Sequence, residues 1–584
     1  FKDLRNKKIK LPKDITDGYF GNFKYQRDAI NRAIEILNEH NGVLISDVVG
    51  LGKSIIASAI ANNLGLRTVV ITPPHLEQQW KDYLSLFQIP GHKTFTSGKI
   101  KEALIDNSPG QKLIIIDEVH KFRNDETKDY LDLYQLCHSS YDGKVNKIIL
   151  LSATPFNNKP KDTFSLIKLF QIPTKSSLQT ISNLSEYFEI LSAEYTKLQR
   201  EQIKGKRDKK HINEDFKKLG SKIRNIITPI IIRRSRIDLK NIKAYDEDLK
   251  KQGITFPKVK DPILEEYKLG ELEDLYLNTL KIISPSNKQS NYKCARYKPL
   301  TYIKDKYLHD VLKEGGYFEE GKKNKLPSEQ QNIHDFIKRM MVRRFESSIP
   351  SFLLTLQTVI NSNKKIIKYY EEKDIIPIFP RHQLPDYEDL FDNVDSSVDV
   401  FNLEILDDSK LGKFKDKGGW FVKKKQLKEN YINDVKSDLD ILVEIQKKWK
   451  ELFKNNFFDP KIEKFKKIIK NQTTKEKKRK IIVFSEFSDT AEYLYNNMKK
   501  TFRCFLYTSK QSTNKKTKDL IKNNFDASQN LKLQENQYDI LIATDAISEG
   551  FNLHRAGTIF NYDIPYNPTR VVQRFGRINR INKK

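Results

Sequence analysis

The sequence predicts an α/β protein in which two parallel-sheet lobes flank a large, mainly helical insertion. Three observations point there. Residues 41–155 hold short Val/Ile/Leu-rich runs without polar alternation, the pattern of strands buried on both faces. From roughly residue 175 to 455 the chain turns rich in Lys, Glu, Tyr and Leu, with long helical periodicity. From about 456 the buried-strand runs return.

In order, the first lobe offers GVLIS (42–46), TVVIT (68–72), KLIIIDE (112–118) and KIILLSAT (147–154), with helical patterns between some of them. In the middle, Ile333, Phe336, Ile337, Met340 and Met341 recur at the spacing of one helix face, as expected of a helix packed on a core. The basic stretches 204–210 and 471–480 read as exposed loops. At 413–425, lysines surround Trp420 and Phe421; contact with DNA phosphates is one reading, and a solvated loop with an anchoring aromatic is the favoured one. The last lobe offers KIIVFSEF (480–487), YDILIATD (538–545) and AGTIFNYD (556–563).

Bulk properties narrow the class. At 584 residues the chain is long enough for roughly three or four domains. Its formal charge of +29, from 105 basic against 76 acidic residues, fits a nucleic-acid or other anionic partner. Cys137, Cys294 and Cys504 stand far apart, which argues against a disulfide framework or Cys-based zinc site and for a cytoplasmic setting. No apolar run approaches the ~18 residues that span a bilayer, so no membrane association is expected. The start at Phe1 and the ending INRINKK read as excerpts of something longer.

Chemistry concentrates at two strand ends. SDVVGLGKSI (46–55) follows a strand and precedes a helical pattern. Gly50 and Gly52 permit a tight turn, Lys53 can reach phosphates and the Ser54 hydroxyl can ligate Mg²⁺. The first glycine of G-x-x-x-x-G-K-[ST] is replaced by Asp47, which leaves a chance G-x-G-K turn open. Asp117 and Glu118 then close a buried strand. Downstream of such a loop they suit metal binding (Asp117) and proton acceptance from an attacking water (Glu118) better than a solvated acidic loop does.

With these motifs the chain resembles a superfamily 2 helicase-type ATPase of the Swi/Snf-like branch. That branch uses a loop of the form D-E-x-G-L-G-K-[ST], so the resemblance makes Asp47 expected and leaves Val48, where an acid is usual, as the departure. FKYQRDAI (23–30) resembles the adenine-reading segment, with Gln26 on the base. ITPPHLEQQW (71–80) resembles a nucleic-acid-contacting motif. LSATP (151–155) resembles the coupling motif, through Ser152 and Thr154, and PIIIRRSRIDL (229–239) the segment closing the first lobe. Thr544, Asp545, Gly550 and Asn552 lie in a motif resembling one that contacts DNA and nucleotide. QRFGRINR matches Q-x-x-G-R-x-x-R, with Arg577 and Arg580 as arginine fingers. Residues 337–356 also resemble bacterial members that often carry an upstream phospholipase-D-type nuclease domain.

The resemblance implies two RecA-like lobes, 1–240 and 456–584, with the insertion at 241–455. ATP and Mg²⁺ are expected between the lobes, held by Gln26, Gly50, Gly52, Lys53, Ser54 and Asp117, with Glu118, Arg577 and Arg580 completing catalysis. The expected activity is ATP-dependent translocation on double-stranded DNA, with bacterial antiviral defense as one setting and a nuclease domain or partner proteins outside this chain. An RNA-dependent ATPase or helicase, and a nucleotide-switched DNA-binding scaffold, are the alternatives.

Overall fold

The computed structural model describes residues 23–106, 109–153, 159–178, 181–204, 208–255, 259–285, 287, 290–315, 326–378, 420–454, 458–476, 479–511, 514–547, 551–565, 568–579 and 582–583. The chain divides into two compact units. One comprises Phe1–Val259, Glu549–Asn552 and Phe575–Lys584; the other Lys260–Ser548 and Leu553–Arg574.

The first unit is built on a six-stranded parallel sheet. Its strands are β1 (Gly42–Ile45), β2 (Arg67–Thr72), β3 (Lys93–Thr96), β4 (Lys112–Ile116), β5 (Lys147–Leu151) and β6 (Ile231–Ile232), in the order β3-β2-β4-β5-β1-β6. The four predicted runs are four of these strands. Val43–Ile45, Val69–Ile71, Leu113–Ile116 and Ile148–Leu151 are all buried, which is why their sequences show no alternation. Helices α1 (Lys24–His40), α2 (Lys53–Leu64) and α3 (Glu77–Leu86) contribute Ala33, Ile36, Ile56, Ile60, Trp80 and Leu84 to the same core. Because the strands are parallel, the loops leaving β1, β4 and β5 emerge along one edge. Two short strands, Ile254–Thr255 and Asn582–Lys583, pair antiparallel and tie the end of the chain into this unit.

The second unit holds a four-stranded parallel sheet and a helical body. The body's long helices are α4 (Leu326–Ser347), α5 (Ile349–Glu372) and α6 (Asn430–Lys454). The predicted stripe packs as expected where it is described: Phe336, Ile337, Met340 and Met341 are buried with Phe352, Leu356 and Trp449; the side chain of Ile333 lies outside the described residues. Ser348 separates the first two helices. Its extended backbone ends one, and its hydroxyl accepts from Ser351 N–H at 3.3 Å to cap the next, with Pro350 in the first turn.

Around Trp420 the structure corrects the solvated-loop reading. Trp420–Lys423 is strand β8, paired antiparallel with β7 (Ile375–Ile378), and Trp420 and Val422 are buried. The partner strand lies too far back in sequence for a local pattern to reveal it. Residues 413–419 lie outside the described residues.

The second sheet is β9 (Lys480–Phe484), β10 (Cys504–Tyr507), β11 (Ile540–Ala543) and β12 (Ala556–Asn561), in the order β10-β11-β9-β12. Residues 337–356 form a joint between it and the helical body. Arg343 pairs with Glu486, Arg344 Nη1 donates to Asp489 Oδ2 at 2.6 Å, and Ser347 Oγ donates to Asp563 Oδ2 at 2.6 Å. The three cysteines are buried and free. Among the described residues no helix is long and apolar enough to cross a membrane.

Candidate functional site

Two glycines shape the loop leaving β1. Gly50 (φ 91°) and Gly52 (φ 85°) both sit in the left-handed region that side chains avoid. They turn the chain into α2, whose first residues are Lys53 and Ser54. The leading N–H groups of a helix have no intrahelical acceptor and carry the positive end of its dipole, so this end suits an anion. Gln26 lies against the loop: its Nε2 is 3.3 Å from the Leu51 carbonyl, which also accepts from Tyr25 Oη at 3.1 Å.

Asp47 is fully buried, and its carboxylate is committed to Arg234 of the 229–239 segment. The Arg234 N–H and Nε donate to Oδ1 at 2.9 and 3.1 Å, and its Nη2 pairs with Oδ2. Arg234 also bonds the Tyr25 carbonyl and lies 5.1 Å from the Tyr25 ring centroid. Asp47 thus fastens the loop to the strand end beside it. Val48, in place of the usual acid, packs against the apolar group of Phe23, Tyr25, Leu51, Leu239, Leu249 and Ile254. Arg236 reaches the next residue, donating to the Val49 carbonyl at 3.3 Å.

Lys53 Nζ donates to the Asp47 carbonyl at 2.9 Å. Burial lowers its pKa; the Glu118, Asp117 and Asp47 carboxylates oppose this, and Arg577 adds to it. Lysine and carboxylates therefore share one electrostatic environment.

At the end of β4, Asp117 is buried. Its N–H donates to the Ile71 carbonyl at 2.9 Å, Oδ1 accepts the Glu118 N–H at 2.9 Å, and Oδ2 accepts Trp80 Nε1–H at 2.8 Å. Burial, then the neighbouring Glu118 charge, pushes its pKa up to about 6. Glu118 has φ 50°, a costly conformation for a residue with a side chain. His120 Nδ1 lies 3.3 Å from Glu118 Oε2 and 3.4 Å from Ser152 Oγ, so Glu118 and the predicted coupling serine flank one imidazole nitrogen.

The first unit thus gathers Gln26, Gly50, Gly52, Lys53, Ser54, Asp117 and Glu118. Arg577 lies near the end of α7 (Pro568–Ile578), in the stretch Phe575–Lys584 that groups with this unit, and is buried. Arg580, Thr154 and Gly550 lie outside the described residues. In the second unit, Thr544 is buried and Asp545 is held by Arg574 (2.6 and 2.8 Å) and Arg570 (3.1 Å). Trp80, His120, Arg234 and Arg574 are the participants that motif reading missed. Each lay inside a quoted motif or beside one, but nothing in a linear pattern names a partner. No cluster of three or more metal-suited His, Cys, Asp or Glu side chains occurs among the described residues.

Comparison with known proteins bears on this arrangement. Residues 93–255 match the SNF2-related domain and residues 460–582 the helicase conserved C-terminal domain. An uncharacterized ATP-dependent helicase, YqhH, of Bacillus subtilis is 28% identical over 170 residues, covering 25% of this chain and 29% of its own. A probable ATP-dependent RNA helicase, ddx51, of Dictyostelium discoideum is 32% identical over 123 residues, covering 20% of each chain. The chain thus spans less than a third of the length of these curated relatives. Among solved structures, the Pyrococcus furiosus Hef helicase domain superposes with a TM-score of 0.41 at 14% identity, covering 95% of this chain and 92% of its own. That superposition is loose. The chain thus carries a segment similar to the SNF2-related domain, followed by one similar to the helicase conserved C-terminal domain.

Proposed function

We propose that the chain is the ATP-hydrolysing core of a motor that moves along double-stranded DNA. The observation that carries this reading is the shared environment of Lys53 with Asp117 and Glu118 beside a glycine-shaped helix start. The donor set fits a triphosphate with a hard cation. The helix end and Lys53 suit phosphate oxygens, Gln26 the base, and Ser54 with Asp117 a Mg²⁺ ion, which characteristically takes one or two protein ligands and completes its shell with phosphate and water. When bound, Mg²⁺ draws off phosphate charge. Glu118 takes the proton of the attacking water, oriented from behind by His120. Arg577 stabilises transition-state charge, a role worth roughly a thousandfold or more in rate. Arg580 is assigned the same role by motif alone.

Duplex DNA is favoured by the SNF2-related domain, by analogy, and by the +29 charge. A second reading, RNA-dependent ATP hydrolysis, is favoured by the RNA helicases to which parts of the chain are similar. The nuclease partner and a role in antiviral defense rest on the resemblance of residues 337–356 alone. Phosphate release should be measured with duplex DNA, single strands and RNA across a salt series. Stimulation by duplex DNA that declines steeply with salt is expected. Stimulation by RNA alone establishes the second reading, and no release under any condition removes both.

A further inference from the structure

We infer that Trp80 is a positioning residue for Asp117, its indole N–H holding the metal-binding carboxylate in one orientation. This rests on the nucleotide-site reading above. Trp80 is the fourth residue of α3, is buried, and reaches a residue 37 positions away with a 2.8 Å hydrogen bond. It makes the one side-chain hydrogen bond to Asp117 among the described residues. The other carboxylate oxygen takes a backbone N–H, that of Glu118. One donor on each oxygen, from two different elements, fixes the plane of the carboxylate and leaves lone pairs on both oxygens for a cation or its water. Tyr83, one turn on, meets the Trp80 ring edge-on at 6.4 Å and restrains the indole in turn.

A buried indole N–H needs some acceptor for its own sake, and a backbone carbonyl would satisfy that need. Here the acceptor is the carboxylate at the strand tip. Outer partners of this kind hold ligating groups in place, and their loss typically weakens metal binding tenfold or more.

The test uses the whole chain, a fluorescent N-methylanthraniloyl ATP and MgCl₂. Trp80→Phe keeps an aromatic ring and removes the donor. It should need about tenfold more Mg²⁺ for half-maximal Mg-dependent nucleotide binding, while binding in EDTA stays at the wild-type level. In an Asp117→Asn background, Trp80→Phe should add little. A loss of packing alone would weaken binding in EDTA as well. If Trp80→Phe does not fold, 3-benzothienylalanine at position 80 keeps the bicyclic shape without the N–H and makes the same comparison. An unchanged Mg²⁺ requirement, or a full tenfold penalty on top of Asp117→Asn, overturns the inference. If the wild-type chain binds no nucleotide at any Mg²⁺ concentration, the nucleotide reading fails and this inference fails with it.

Discussion

Replacing Asp47 by glycine would complete the pattern G-x-x-x-x-G-K-S over residues 47–54, and the structure predicts that it ruins the loop. Asp47 is not among the residues with positive φ, so glycine's conformational freedom serves nothing there. The substitution removes the partner of Arg234 Nε and Nη2 and the acceptor of the Arg234 N–H. A largely buried guanidinium is left with the Tyr25 carbonyl and ring. Breaking a buried pair from one side costs about 3–5 kcal/mol. Taking about 4 kcal/mol, the folded-to-unfolded ratio of the first unit falls close to a thousandfold. Urea unfolding followed by circular dichroism at pH 7 measures this, with phosphate release assayed alongside. Removing the second charge as well, with Arg234→Met, should recover part of the loss, because an uncompensated buried charge is its main component. An Asp47→Gly variant within about 0.5 kcal/mol of wild type and still releasing phosphate would refute the reasoning.

Glu118→Gln should bind nucleotide normally and release phosphate at least about a hundredfold more slowly, the usual contribution of a general base; wild-type turnover would reassign the base. Arg344→Ala strips Asp489 and Ser351 of a buried partner and should lower the unfolding free energy of the second unit by about 3 kcal/mol, read from urea melts. Asp117 supplies a pH prediction. Its pKa is raised to about 6 in the folded chain, against about 3.9 unfolded. The folded chain holds this proton more tightly than the unfolded chain, so its contribution to stability is fully present below pH 4 and is lost as pH rises through 6. Between pH 4 and 7, without nucleotide, wild type should lose stability relative to Asp117→Asn; parallel curves would rule this out.

Much of the fold was legible because parallel strands buried on both faces must be apolar at every position. Residues 43–45, 69–71, 113–116, 148–151, 481–484 and 540–543 announce themselves that way. The loop glycines, Lys53, Ser54, Asp117 and Glu118 were legible for a related reason. Each adjoins a strand in sequence, so its place at a strand end follows from the strand itself. Burial patterns report that a residue is inside, however, and not what it touches. Only the strand order sets the ends of β1, β5 and β4 side by side. Only tertiary packing brings Arg234 to Asp47 across 187 residues and Trp80 to Asp117 across 37. Trp420, read as a loop anchor, became a strand residue because its ladder partner lies near residue 378. Local chemistry was determined by the chain's own alphabet. Which charges face one another was decided by how the layers stack, since electrostatics acts through space and the pattern runs only along the chain.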